Sequence, residues 1–394
     1  MSPPTDRLGF YIAIICAMPI ESNAVDLLFD ELYDDAGPAF GKAPGDTNKY
    51  KTGRLGKHHI VLLTLPSIGP QAATAGSAQM IMSFPNIQFG LIVGVCGGLP
   101  QINNKNAFLG DVVVSTSLLN YDFGTQYTDH FAVKFDIQNT LGPPSSKLQS
   151  LLSFLEREHD MGRLKESAAK NLGQLQARAS EKRRKANYKS PSHDLDLIFP
   201  SDYEHIDRKE DCAECDATPR RFCEPVTRKT CDDAGCEDDR QVCRGDARRE
   251  QLYAMGYATG LPQIFLGKVA CGNAVMMSGR HRDQKAKEHD IIAFEMEGAG
   301  AWEVLSCLVV KGICDYADSH KNKHWQNFAA ATAASVAVAI LEQYEPPDDM
   351  TGRSGASRQG PVTTVTHNYG GQSGNSHNIL GSTFGSGTTI NMGG

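Results

Sequence analysis

The stretch Val309–Gln326 reads VVKGICDYADSHKNKHWQ. Apolar residues of the kind that fill a buried strand run directly into Asp315, Asp318, His320, Lys321 and Lys323. In open α/β sheets, ligands bind beyond the carboxyl ends of strands, where loops and helix starts converge. A core strand that ends in charge therefore predicts both a fold class and the place of a site. If that is right, the chain must hold further strands of the same kind.

It does. YIAIICAM (11–18), HIVLLTLP (59–66), GLIVGVCGG (90–98) and DVVVSTSLL (111–119) are short apolar runs bounded by Gly or Pro. They lack the apolar–polar alternation of a half-exposed strand, so they read as strands buried on both faces. QAATAGSAQMIMSF (71–84) carries small and apolar residues at helical spacing and reads as a crossover helix. The pattern resumes in QIFLGKVACGNAV (263–275), IIAFEMEGAGAWEVL (291–305) and the Ala-rich helix WQNFAAATAASVAVAILEQY (325–344). The expected fold class is α/β: a three-layer α/β/α arrangement around a central mixed, largely parallel sheet.

Composition narrows the setting. The chain has 394 residues, 40% hydrophobic and 22% charged, with a formal net charge of −7. No nucleic-acid backbone is invited as a partner by such a balance. The N-terminus lacks the basic start and long apolar core of a secretory signal, and the run Tyr11–Met18 is too short to span a bilayer. A cytoplasmic protein without membrane contact is expected, so its 11 cysteines read as thiols or metal ligands before disulfides.

The expected organisation is one catalytic unit at 9–345 and a tail at 346–394. Residues 145–250 interrupt the unit as a charged surface insertion, first helical (146–187) and then Cys-rich (211–243). Cys212 and Cys215 form a C-x-x-C pair, but Cys223, Cys231, Cys236 and Cys243 are irregularly spaced. A structural zinc at Cys212 and Cys215 and plain surface thiols both remain open. The tail, rich in Gly, Ser, Thr and Asn, reads as a flexible terminus. Its alternative reading is an assembly motif stacked through Asn ladders.

Three acids stand at strand ends: Glu21 past YIAIICAM, Glu297 where IIAFEM turns into a helix, and Asp315. Taken singly, Glu21 and Glu297 could be first-turn acids placed by the helix dipole, and Asp315 a turn cap. Together they deliver three carboxylates to one sheet edge, beside the Gly-rich strand end at Gly97. Cleaving an N-glycosidic bond needs such a set. One acid protonates the leaving base, a second carboxylate holds the sugar hydroxyls beside an oxocarbenium-like centre, and a third activates water.

FEMEGAG (294–300), CDYAD (314–318) and CAMPIES (16–22) together resemble the nucleoside phosphorylase and methylthioadenosine/adenosylhomocysteine nucleosidase superfamily. DYEH (202–205), CAECD (212–216), KGICDYADSHKNKHWQ (311–326) and AAATAA (329–334) are similar to its fungal branch, over about Tyr11 to Tyr344. The resemblance implies that Asp315 protonates or hydrogen-bonds the purine, that Glu297 with Met296 grips the ribose, and that Glu21 activates water. It places Ser67 and Gly69 near the ribose, and Cys271, Asn273 and Val275 around the base. Cys271 stands where that branch has a hydroxyl residue, and Cys96 where small glycines are commoner.

A phosphorylase holds phosphate with arginine and backbone amides. Here the loop after the first strand carries Glu21 and no basic residue, which favours water. Arg280, Arg282, Lys321 and Lys323 read as solvated surface charge, or as a ring of cations for 5′-phosphates. Immune effectors of the superfamily that resemble this chain cut ATP, so ATP is the favoured substrate, without a redox cofactor. Two alternatives stand beside this: a phosphate-dependent phosphorylase of salvage, and a catalytically silent module that assembles through its tail on an NLR-type receptor. A homo-oligomer is expected by analogy.

Overall fold

The computed structural model describes residues 2–33, 40–128, 131–134, 140–141, 144–217, 223–242, 244 and 262–345. Cys243 and the tail at 346–394, with its proposed assembly motif, lie outside the described residues. The strands, in chain order, are β1 (Ile12–Cys16), β2 (Glu31–Leu32), β3 (Tyr50–Leu55), β4 (His58–Thr64), β5 (Phe89–Gly98), β6 (Gln101–Ile102) and β7 (Lys105–Asn106). They continue with β8 (Val112–Asn120), β9 (Gly124–Gln126), β10 (Phe131–Val133), β11 (Thr140–Leu141), β12 (Ile264–Cys271), β13 (Ile291–Glu295) and β14 (Cys307–Asp315). The helices are α1 (Pro19–Asp26), α2 (Pro70–Ser83), α3 (Ser146–Leu155), α4 (Glu158–Glu181), α5 (Ala213–Asp216), α6 (Cys231–Ala234), α7 (Gly279–His289), α8 (Gly298–Trp302) and α9 (Gln326–Gln343).

The apolar runs are the core strands. β1 and β14 are buried along their whole length, as are all but two residues of β5. β5 pairs in parallel with β1 and β14, and β1 in parallel with β4. From β4 the sheet runs out through antiparallel β3 and β2. On the other side, β8, β12 and β13 are parallel neighbours. Two antiparallel contacts, β13 with β5 and β14 with β8, then join the halves. The fold is α/β with a mixed sheet, as read from the sequence. The antiparallel contacts add that β5, β14, β8, β12 and β13 close on one another, with β14 and β13 buried throughout and β8 and β12 partly open along their middle.

Closure sets the site. Gly97 on β5 is paired with Phe294 of β13 and with Asp315 of β14, so three strand ends meet at one residue. The end of β1 lies next along the sheet.

α9 packs across β14 and β5 and is backed by α1 and α4, while α2 packs on α8. Alanine and other small or β-branched residues let α9 be buried nearly all round, from Phe328 to Leu341. One expectation needs correcting here. α4 belongs to the segment read as a surface insertion, yet Leu164, Ala168, Leu172 and Leu175 are buried in the main core. Their spacing lines one helical face, and that stripe covers α9. Among the described residues no helix is long and apolar enough to cross a membrane.

This packing predicts the effect of Leu172→Ala. Loss of a buried leucine costs about 2–5 kcal/mol, so the denaturant midpoint should fall in one cooperative transition. An unchanged midpoint would return α4 to the status of a detachable insertion.

Candidate active site

Glu21 enters from β1. The strand stops at Cys16, Pro19 starts α1, and Glu21 sits in its first turn. Its Oε2 accepts hydrogen bonds from the backbone N–H groups of Ala17 and Met18, each at 2.9 Å. Its Oε1 accepts one from Val95 of β5 at 2.9 Å. The bland reading of Glu21 as a helix-start acid is thus part of the truth, since it caps Met18. It also crosses to β5, and only glycine at position 94 lets it do so: a Cβ there would lie 2.1 Å from Glu21 Oε1. Burial pushes the Glu21 carboxyl up from the ordinary glutamate range; Lys311 opposes this and Glu297 adds to it.

Glu297 follows β13 and stands at the start of α8, its carboxylate free of any capping bond to that helix. Its Oε1 accepts from the N–H of Gly69 at 3.2 Å, and its Oε2 from the ammonium of Lys311 at 2.7 Å. Gly69 reaches it because α8 and the start of α2 nearly touch, with Gly300 against the carbonyl of Pro70. Beneath lies Glu295, whose two oxygens accept from the N–H groups of Glu297 and Gly298 at 2.9–3.0 Å. Lys311 is 1% exposed and stands 3.8 Å from Glu295. Burial alone would strip its proton, but Glu297, Glu21 and Glu295 outweigh burial and hold it charged. One ammonium cannot neutralise three acids, and burial, aided by Glu297, pushes the Glu295 carboxyl up. Sequence reasoning missed Lys311 and Glu295. The available signal was a lysine in the middle of an apolar strand, which must find a carboxylate to be buried.

Asp315 ends β14, at an irregularity in its pairing with β5. Its Oδ1 accepts from the N–H of Ala317 at 2.9 Å, and its Oδ2 faces the Lys321 ammonium at 3.1 Å. Glu21, Glu297 and Asp315 all line one cavity of about 230 Å³. Gly97, Val275, Met296 and Lys321 share its wall, with Met18, Ile68, Cys96 and Phe294 supplying apolar surface. Such a site offers an apolar slot for a flat ring and carboxylates on several sides of it.

Other expected residues are placed differently. Ser67 is exposed, and Gly69 acts through Glu297; neither is in the cavity wall. Cys271 is fully buried behind the site, where its sulfur accepts from the N–H of Ala299 at 3.2 Å. Asn273 is bound to Asp122 through its backbone and side-chain N–H groups, at 2.6 and 3.0 Å. The ring of cations is reduced to Lys321. Arg282 is 3% exposed and donates to Asp283 at 2.7 Å and to the Tyr316 carbonyl at 2.8 Å. It is a strut between α7 and the loop after β14. Arg280 and Lys323 are exposed and outside the wall. Cys212 and Cys215 are joined by Cys223, so three sulfurs lie within 4.8 Å of one another.

Residues 11–167 match the family model of the phosphorylase superfamily. A nucleotide-binding leucine-rich repeat (NLR)-like protein of Hyaloscypha variabilis is 29% identical over 338 residues. The match takes in 84% of this chain but 29% of that protein, so the chain spans under a third of its relative's length. Among solved structures, the chain is similar to a 5′-methylthioadenosine/S-adenosyl homocysteine nucleosidase of Helicobacter pylori, 17% identical with a TM-score of 0.48. That alignment covers 85% of this chain and 99% of the other. Futalosine hydrolase of the same organism is 17% identical with a TM-score of 0.49, covering 86% and 100%. The Neisseria meningitidis nucleosidase is 14% identical with a TM-score of 0.46, covering 85% and 99%. Through residues 11–167, the chain carries the signature of the phosphorylase superfamily, the family its strand-end motifs resemble.

Proposed function

We propose that the cavity hydrolyses the N-glycosidic bond of a purine nucleoside unit and releases adenine. The observation that carries this reading is the convergence of Glu21, Glu297 and Asp315 on one small, largely apolar cavity. In the reaction the bond from C1′ to the base breaks and its electron pair leaves with the purine. Asp315, at the end of β14, protonates or hydrogen-bonds the ring. Glu297, held by Gly69 and Lys311, takes the ribose hydroxyls beside the developing positive charge. Glu21 removes the proton from the water that adds to C1′.

Water rather than phosphate is favoured by the same geometry. A phosphate would need free backbone amides, and Ala17, Met18 and Val95 give theirs to Glu21. A carboxylate there also repels a second anion. The finer reading, in which the substrate is ATP, rests on the resemblance to effectors that cut ATP; Lys321, the one expected cation in the wall, is paired with Asp315 at the base end. A role as the effector part of a receptor-linked protein is supported by the NLR-like relative. Its unit would be the domain at 9–345, acting as a homo-oligomer.

Incubating the protein with ATP, adenosine and methylthioadenosine, with and without phosphate, and separating the products tests the reading directly. Adenine should appear without phosphate, and Asp315→Asn should lose roughly 10²–10⁴-fold in rate. Adenine only in the presence of phosphate would make the protein a phosphorylase, and none under any condition would leave a silent module.

A second expectation concerns pH. With its carboxyl raised above the ordinary value of 4.5, Glu21 is protonated, and useless as a base, until the pH passes that higher value. The acid limb of kcat/KM should therefore lie above pH 4.5. A limb at or below that pH would remove Glu21 from the role of base.

A further inference from the structure

A second cluster of chemistry-bearing side chains lies outside the cavity, where the Cys-rich segment meets the loop after β14. His205, Cys236 and His320 each offer one ligand atom, all within 4.8 Å of one another. His205 Nδ1 lies 3.2 Å from the Cys236 sulfur. Cys231 supplies a second thiol on the same short turn as Cys236. Both thiols are free and are set by a compact turn. Cys231 opens α6, Gly235 follows it at φ +76°, and the N–H of Cys236 donates back to the Cys231 carbonyl at 2.8 Å.

The two imidazoles are arranged as ligands. His205 Nε2 faces the carbonyls of Val226 and Lys229 at 3.1 and 3.2 Å, so that nitrogen carries the proton and Nδ1 is left as a lone pair toward the sulfur. Metal-bound histidines are oriented by this kind of outer hydrogen bond. The ring of His320 is stacked on Phe199 and Tyr203, with centroids 4.2 and 5.6 Å away. Its nitrogens are buried and make no close hydrogen bond among the described residues; Nδ1 stands 3.8 Å from Asp318 Oδ1, and the ring interacts with the Cys236 thiol. A buried imidazole with no close hydrogen bond is costly, and its ligand atom lies within 4.8 Å of those of Cys236 and His205. Bonds of about 2.3 Å to sulfur and about 2.0–2.1 Å to nitrogen put tetrahedral zinc ligands about 3.5 Å apart. The three clustered atoms need little contraction to meet that spacing, and Cys231, on the turn that carries Cys236, is the thiol placed to complete the set.

We propose that His205, Cys231, Cys236 and His320 form a tetrahedral structural zinc site that clasps the Cys-rich segment to the loop after β14. The site is separate from the three sulfurs of Cys212, Cys215 and Cys223. It does not depend on the reaction assigned to the cavity. Its mechanical effect falls on that cavity nonetheless, because His320 lies one residue before Lys321 and five after Asp315. Ser319 already ties the same loop to the N–H of His205 at 2.9 Å.

The test is metal content, measured by plasma mass spectrometry on the full chain purified without chelator, followed by cobalt(II) replacement. Zinc should be present, and Cys236→Ser and His320→Ala should each remove one equivalent, whereas Cys212→Ser should leave that equivalent in place. In case those variants do not fold, His320→Cys keeps a zinc-competent ligand set. It should bind cobalt with a stronger thiolate charge-transfer band than the parent, whose visible spectrum should be that of tetrahedral cobalt. Zinc content unchanged in Cys236→Ser and His320→Ala would overturn the proposal. So would a parent protein that takes up neither metal, or a Cys231–Cys236 disulfide found in it by mass spectrometry.

Discussion

The ammonium of Lys311 sits in the middle of a buried strand, 2.7 Å from Glu297 and 3.8 Å from Glu295, with Glu21 close enough to help keep it charged. Placing a charge there is worthwhile only if acids from other strands come to it, because an unpaired buried ammonium is heavily penalised. Those acids arrive from β1 and β13, on either side of the pair β5 and β14. The lysine therefore links the elements that must agree for a site to exist. It also leaves the acids short of one full set of counter-charges, which is why burial can push Glu21 and Glu295 toward their protonated forms. Carboxyl groups held short of counter-charge in this way are the kind that exchange protons near neutral pH.

Much of this was legible in the residues alone. Strands buried on both faces write themselves as unbroken aliphatic runs, and acids directly after such runs fall at sheet edges. That placed Glu21, Glu297 and Asp315 at one edge, where all three line the same cavity; the roles given to them came from the family resemblance. Lys311 and Glu295 were hidden because their role exists only across strands: one lies within an apolar run and the other one residue before the expected motif pair. Arg282 was misread for the opposite reason. A basic cluster looks solvated until α7 packs and turns one arginine inward onto the carbonyl of Tyr316. The closure of five strands was also invisible, since nothing in β13 or β14 marks which neighbour runs antiparallel.

The Cys-rich segment shows a further limit of spacing arguments. Cys212 and Cys215 drew attention as a familiar pair, whereas Cys231 and Cys236 looked irregular. In the fold Cys236 of the second pair meets His205 and His320, which come from parts of the chain more than 100 residues apart. Ligand sets assembled from distant segments leave no local pattern, and their usual trace is a buried polar ring with nothing to bind.

The end of α9 carries a consequence for whatever is joined to it. Tyr344 is anchored at the far edge of the sheet, its ring 4.8 Å from that of Phe89, the first residue of β5. Gly97, at the cavity, is eight residues along the same strand, or about 25 Å away at roughly 3.3 Å per residue. The described part of the chain thus ends at the pole opposite the cavity. A contact made at the Tyr344 end would therefore leave the cavity, about 25 Å away along β5, uncovered.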